Sequence, residues 1–205
     1  MERKTLESAA ANYSYLRGLL SIPVGIVLIV AALGNWKWGP LRHAWVFVAC
    51  VLAAGLAGLA ITRYYSERYG RVTPSTRQQV RASVAVSIGV ALMVGVGFLA
   101  RSRASWSLDL PVNPTAAGFA LFMLSYYALT VGLRAHHIII WGSVLVTGLL
   151  PVWGGLGLGD TGNIGLVIAG MAAIATGIFD HRLLVRTFGS RQDLDLESGN
   201  ARASR

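Results

Sequence analysis

Side chains able to do chemistry are sparse in this chain, and they gather at three places. Arg63, Tyr64, Tyr65, Glu67 and Arg71 form one group. Tyr126, Tyr127, Thr130, Arg134, His136 and His137 form a second, and Asp180, His181, Arg182 and Arg186 a third. Each group closes a long apolar run. Four chemistries fit these residue types. Arg and Tyr at the end of an apolar helix anchor it at a membrane boundary. Arg71, Arg134 and Arg186, joined by Tyr64, Tyr127, His136 and His137, would make an anionic-ligand or lipid-headgroup site if they converged. Asp180, His181 and Glu67 are the candidates for acid–base catalysis. A metal would need His136, His137, His181 and Asp180 together. Adjacent histidines point about 100° apart on a helix, and no HxxxH or HExxH spacing occurs. No metal site and no cofactor are expected.

Other catalytic signatures are missing. There is no Walker A sequence and no GxSxG. The glycine-rich Gly154–Gly159 follows no strand and reads as a flexible turn. The single cysteine, Cys50, lies in an apolar run and reads as a packing residue.

The three groups share a frame. When Gly55, Gly118 and Gly170 are aligned, each is preceded by Ala (Ala54, Ala117, Ala169). An aromatic follows nine residues on (Tyr64, Tyr127, Phe179), and an Arg sixteen on (Arg71, Arg134, Arg186). This pattern predicts three helical hairpins, at about 15–71, 81–134 and 135–189.

The elements that carry these groups are apolar. The chain has 205 residues, 54% hydrophobic and 13% charged, with mean hydropathy +0.56. Soluble domains carry roughly twice that share of charge. Six runs are long enough to approach the ~20 residues of a membrane helix: Gly18–Trp36, Ala44–Thr62, Ala82–Ala100, Thr115–Leu133, Ile138–Leu156 and Gly162–Phe179. None has a charged residue in its middle. β-barrel strands would alternate and be about half as long. The fold class expected is therefore all-α: a polytopic six-helix membrane domain over residues 1–189, with a disordered cytoplasmic tail at 190–205. The segment before Gly18 is polar with apolar residues interleaved, which would suit a short interfacial helix.

Charge sets the expected orientation. With both termini inside, the cytoplasmic segments hold 14 of the 18 Lys and Arg residues and the outer loops hold 4. That bias follows the positive-inside rule, and it accounts for the net charge of +9 without nucleic acid as a partner. Trp36, Trp38, Trp106 and Trp153 fall near the outer span ends, where aromatic anchors belong.

Small residues four apart mark the helices expected to pack closely. Cys50, Ala54, Gly58 and Thr62 form such a stripe in the second span, and Gly165, Ala169, Ala173 and Gly177 in the sixth. Small side chains let backbones approach in lipid, so these two helices are expected inside. The fourth keeps the pattern only partly.

Function is open between three classes. The first is a small-molecule or lipid binding or transport component of the plasma (inner) membrane of a bacterium. Membrane lipids would be its partners, with room for a second membrane subunit or another copy of itself. The second is a membrane enzyme acting on a lipid or isoprenoid at the cytoplasmic face, and the third a structural or regulatory protein. Asp180 is the only acid within the repeated inner stretches apart from Glu67, at a depth where an unpaired carboxylate is costly. It should have a basic partner, with Arg63, Arg134 and His181 at suitable depth.

Overall fold

The structure is a computed structural model that describes residues 17–69, 75–104, 112–153, 156 and 158–203. The described residues form six α-helices: α1 (Ser21–Asn35), α2 (Ala44–Tyr69), α3 (Thr76–Ala104), α4 (Pro114–Thr130), α5 (Ala135–Leu149) and α6 (Leu158–Ala203). Short 3-10 turns at Gly18–Leu20 and Gly39–Arg42 lead into α1 and α2. Among the described residues there is no strand. Each helix coincides with one of the six apolar runs. Four stretches are long and apolar enough to cross a membrane: Gly18–Asn35, Ala44–Arg68, Thr76–Ala100 and Gly159–Arg186. The helix α6 continues to Ala203, through the polar stretch after Gly189 that the sequence suggested would be a disordered tail.

The central helix is α6, which packs against α1, α4 and α5. The outer two lie one on each side, α2 against α1 and α3 against α4. Buried Ala116, Ala120, Tyr127, Trp141, Val144, Ala172 and Ala173 make the core where α4, α5 and α6 meet.

Glycine sets the α1–α6 distance. The helices run antiparallel, and two glycine pairs face each other: Gly25 of α1 with Gly170 of α6, and Gly18 of the preceding 3-10 turn with Gly177 of α6. A Cβ on Gly25 would lie 2.5 Å from the Gly170 carbonyl oxygen, and one on Gly170 would lie 2.6 Å from that of Gly25. Gly18 and Gly177 meet in the same reciprocal way. With no Cβ at these four positions the two backbones come into direct contact, flanked by Ile29 and Ile174, which is how helices gain dispersion contacts in an apolar solvent.

The expected inner position holds for α6 and fails for α2. Ala169 is 0% exposed and Ala173 5%. Between Ala44 and Tyr64 no residue of α2 is buried, and a Cβ added to Gly55 or Gly58 would meet nothing within 4 Å. Cys50 and Ala54 face α1 across an apolar cleft of about 400 Å³ instead of packing tightly against it. The helix that shares the interior with α6 is α4, through Ala116, Ala117, Gly118 and Ala120.

Both α4 and α5 are short, at 17 and 15 residues. Their caps explain where they stop. Asn113 caps α4 by accepting the Ala116 N–H at 3.0 Å, and Pro114 follows at the first helical position. The Asn113 side chain also donates to the Thr161 carbonyl of α6 at 2.8 Å, and its backbone N–H donates to the Gly148 carbonyl of α5 at 2.7 Å. One buried residue thus pins three helices at one level. At the other end, Gly132 closes α4 with φ +85°, its N–H donating to the Tyr127 carbonyl at 2.8 Å. Glycine adopts that left-handed conformation freely.

Candidate functional site

The turn at Gly132 folds the chain back so that Arg134, His136 and His137 enter the first turn of α5 directly beside α6. Both imidazoles reach the same carboxylate. His136 Nε2 lies 2.9 Å from Asp180 Oδ1, and His137 Nε2 3.1 Å from Oδ1 and 3.4 Å from Oδ2. The Arg134 guanidinium lies 3.9 Å from Oδ1. Asp180 is 3% exposed and His137 0%. The carboxylate therefore sits at the N-terminal end of α5, where the helix dipole favours negative charge, and it accepts from two imidazole N–H groups. The His137 ring lies flat on Tyr127, with centroids 3.7 Å apart and planes 14° apart. His136 packs against Phe179.

The expected divergence of neighbouring histidines does not hold here. Their Cβ atoms leave the helix in different directions, yet the rings bend to one point because Asp180 lies between them. The coordinating atoms of His136, His137 and Asp180 lie within 4.8 Å of one another, a spacing a cation could use. Two details favour a hydrogen-bonded carboxylate instead. The Arg134 backbone N–H points at His137 Nδ1 at a long 3.5 Å, which leaves Nε2 as the protonated donor. A guanidinium also approaches the same oxygen, where it would oppose a metal cation.

The other expected site residues distribute differently. His181, next to Asp180 in sequence, turns the other way: its Nδ1 accepts from the Tyr65 hydroxyl at 2.9 Å, and that hydroxyl accepts the Leu19 N–H at 3.3 Å. Tyr65, fully buried with Leu184, ties α2 to α6 and to the start of α1. Sequence reasoning had favoured its neighbour Tyr64, which is 45% exposed. Glu67 is exposed and pairs with Arg63 at 2.8 Å. The candidate acid–base residues Asp180, His181 and Glu67 are thus not brought together. Arg134 is the one residue of those proposed to partner Asp180 that approaches it, and His136 and His137 do so more closely. Arg186 is exposed, two turns beyond Asp180, and Arg71 lies outside the described residues.

A cavity of about 270 Å³ opens beside the cluster. Asp180 lines it together with Phe122, Met123, Tyr126 and Tyr127 of α4. Arg17, Leu20 and Ser21 line it from the start of α1. Phe122 and Tyr126 stack in parallel, with centroids 6.5 Å apart. The cavity combines a carboxylate, a guanidinium, hydroxyls and aromatic faces, none of which the apolar cleft between α1 and α2 offers.

Polar contacts gather again at the opposite end of the bundle. There Asn35 donates to Asn163 at 2.8 Å and the Trp36 indole donates to Asp160 at 2.9 Å, near the Asn113–Thr161 contact. Thr161 and Asp180 are separated along α6 by about 29 Å at ~1.5 Å per residue, close to the ~30 Å of a bilayer hydrocarbon core. Comparison with protein-family models, curated proteins and solved structures gives no match.

Proposed function

We propose that this chain is an integral membrane component that binds or transports an amphipathic small molecule or lipid. It would span the plasma (inner) membrane of a bacterium six times with both termini in the cytoplasm. The observation that carries this reading is the cavity beside Asp180: a charged, aromatic-lined recess at one end of otherwise apolar helices. Its position suits a ligand with a polar head at the membrane boundary and an apolar body along the helices. The 14-to-4 distribution of Lys and Arg supports placing that end on the cytoplasmic side. Contacts between α1 and α2, α3 and α4, and α5 and α6 support three hairpins. These enter and leave on one side, as repeats related by an axis along the membrane normal do. A partner subunit supplying energy would account for transport by a chain with no nucleotide-binding motif.

Native mass spectrometry of the protein gently extracted in detergent tests the reading. A bound amphiphile at about one per chain is expected, displaced when Phe122 is replaced by Trp to fill the cavity. Absence of any bound amphiphile, or its retention in F122W, would refute it. Cysteines placed at 75–77 should react with impermeant reagents only after cells are opened, and reaction from outside would refute the orientation.

A further inference from the structure

The cavity beside Asp180 suits a neutral headgroup. The Asp180 carboxylate already takes both imidazoles, with the Arg134 guanidinium 3.9 Å away. The carboxylate repels an anion and the guanidinium opposes a cation. The hydrogen-bonding capacity that remains belongs to hydroxyls. Tyr127 is 5% exposed and lines the cavity. Its ring is stacked on His137, yet among the described residues its hydroxyl has no hydrogen-bond partner. A buried hydroxyl left unpaired costs about 1–3 kcal/mol, which a ligand accepting from it offsets. Ser21 brings a second hydroxyl from α1, also without a partner among the described residues. Aromatic rings complete the lining. Phe122 and Tyr126 are parallel within 6°, and Tyr127 meets Tyr126 edge-on with centroids 5.7 Å apart. Aromatic faces are electron-rich, so their complement is an electron-poor ring.

Resting on the amphiphile-binding reading above, we propose that the cavity takes the ring of an isoprenoid quinone. Such a ring is neutral, planar and electron-poor, and it carries two carbonyl acceptors on one rigid frame. The Tyr127 hydroxyl donates to one carbonyl and the Ser21 hydroxyl to the other. Asp180 takes no ligand charge: it stays with its histidines. The volume of about 270 Å³ lies just below the ~300 Å³ at which sites for drug-sized ligands begin. That is room for a single ring and too little for a polycyclic cofactor. Leu20 and Met123 line the same cavity and give apolar contact to the start of the chain, which continues among lipid tails.

The test titrates delipidated full-length protein with decylubiquinone, a short-chain quinone, and with dioctanoylglycerol, a neutral amphiphile that has carbonyls and no ring. Binding is read by native mass spectrometry. Wild type should hold decylubiquinone about ten-fold more tightly than dioctanoylglycerol, a stacking contact and part of a hydrogen bond together. Duroquinone, the ring without a chain, should displace decylubiquinone at higher concentration. Tyr127→Phe keeps the stacked ring and removes only the unpaired hydroxyl. It should weaken decylubiquinone about five-fold, one neutral hydrogen bond, with no loss of Tm. Ser21→Ala should weaken it a few-fold, and Phe122→Leu should lower the preference over dioctanoylglycerol several-fold. Equal binding of the two amphiphiles by wild type would overturn the quinone assignment while leaving amphiphile binding intact. Binding of neither would refute the amphiphile reading itself, and the quinone with it. Failure of duroquinone to displace would assign the affinity to the chain and overturn the ring site. Unchanged decylubiquinone affinity in Tyr127→Phe and Ser21→Ala would overturn the location.

Discussion

Substituting Gly25 by Ala tests whether direct backbone contact joins α1 to α6. The new methyl would lie 2.5 Å from the Gly170 carbonyl oxygen, with Ile174 Cγ1 2.7 Å away. Relief to an ordinary 3.4 Å contact requires a shift of about 0.9 Å. The carbonyl belongs to a helix backbone, so no side-chain rotation can give way and the helices themselves must part. A gap of that size forfeits a quarter to a half of the dispersion energy of each contact, and overpacking of this kind costs about 1–3 kcal/mol. Gly58→Ala is the matched control, because its methyl meets nothing within 4 Å. Both variants gain the same helix propensity, up to about 1 kcal/mol, so their difference isolates the steric term. For a chain of this size that difference corresponds to about 2–12 °C in Tm, measured by thermal unfolding in detergent. The double variant of Gly25 and Gly170 should cost less than twice the single one, because one separation relieves both contacts. Equal Tm for Gly25→Ala and Gly58→Ala would refute the seam.

Three further outcomes follow from the polar contacts. Asn113→Ala removes the cap of α4 and its side-chain tie to α6 at Thr161, at about 2 kcal/mol, read as a lower Tm. Tyr65→Phe strips the Leu19 N–H and His181 of their shared partner and should cost about 1–2 kcal/mol, whereas exposed Tyr64→Phe should stay within about 0.5 kcal/mol. Asp180→Asn weakens the bonds to both histidines and should cost about 2 kcal/mol, against under ~1 kcal/mol for exposed Asp160→Asn; equal Tm for the two Asn variants would show that Asp180 is an ordinary surface acid.

The helices were legible because apolar length is a strong signal, and all six lie where runs of hydrophobic residues stand between charged loops. One partner was legible too: Asp180 needed a basic neighbour, and Arg134 is near it. The identity of its closest partners was not. Helical periodicity places Cβ atoms, whereas the convergence of His136 and His137 depends on how two rings bend toward a third helix. The neighbours Asp180 and His181 likewise take partners from different helices, which spacing along one chain cannot assign. The stripe of Cys50, Ala54 and Gly58 misled because small residues permit close packing without causing it. A partner surface of matching shape is also required, and α2 faces a cleft. The seven-residue spacing of Gly18 and Gly25, matched by Gly170 and Gly177, was the better signal, since it appears on both members of the pair.

The shortness of α4 and α5 has a mechanical consequence in a bilayer. Their 17 and 15 residues span about 25 and 22 Å, less than the hydrocarbon thickness beside the longer helices. In the membrane placement proposed above, a lipid film meeting this uneven wall would dimple, at a fraction of a kcal/mol for each ångström of mismatch. Headgroups and water would then settle lower over the Gly132 turn. Asp180, buried against the first turn of α5, would lie beside that depression, separated from water by little more than the His136 and Arg134 side chains.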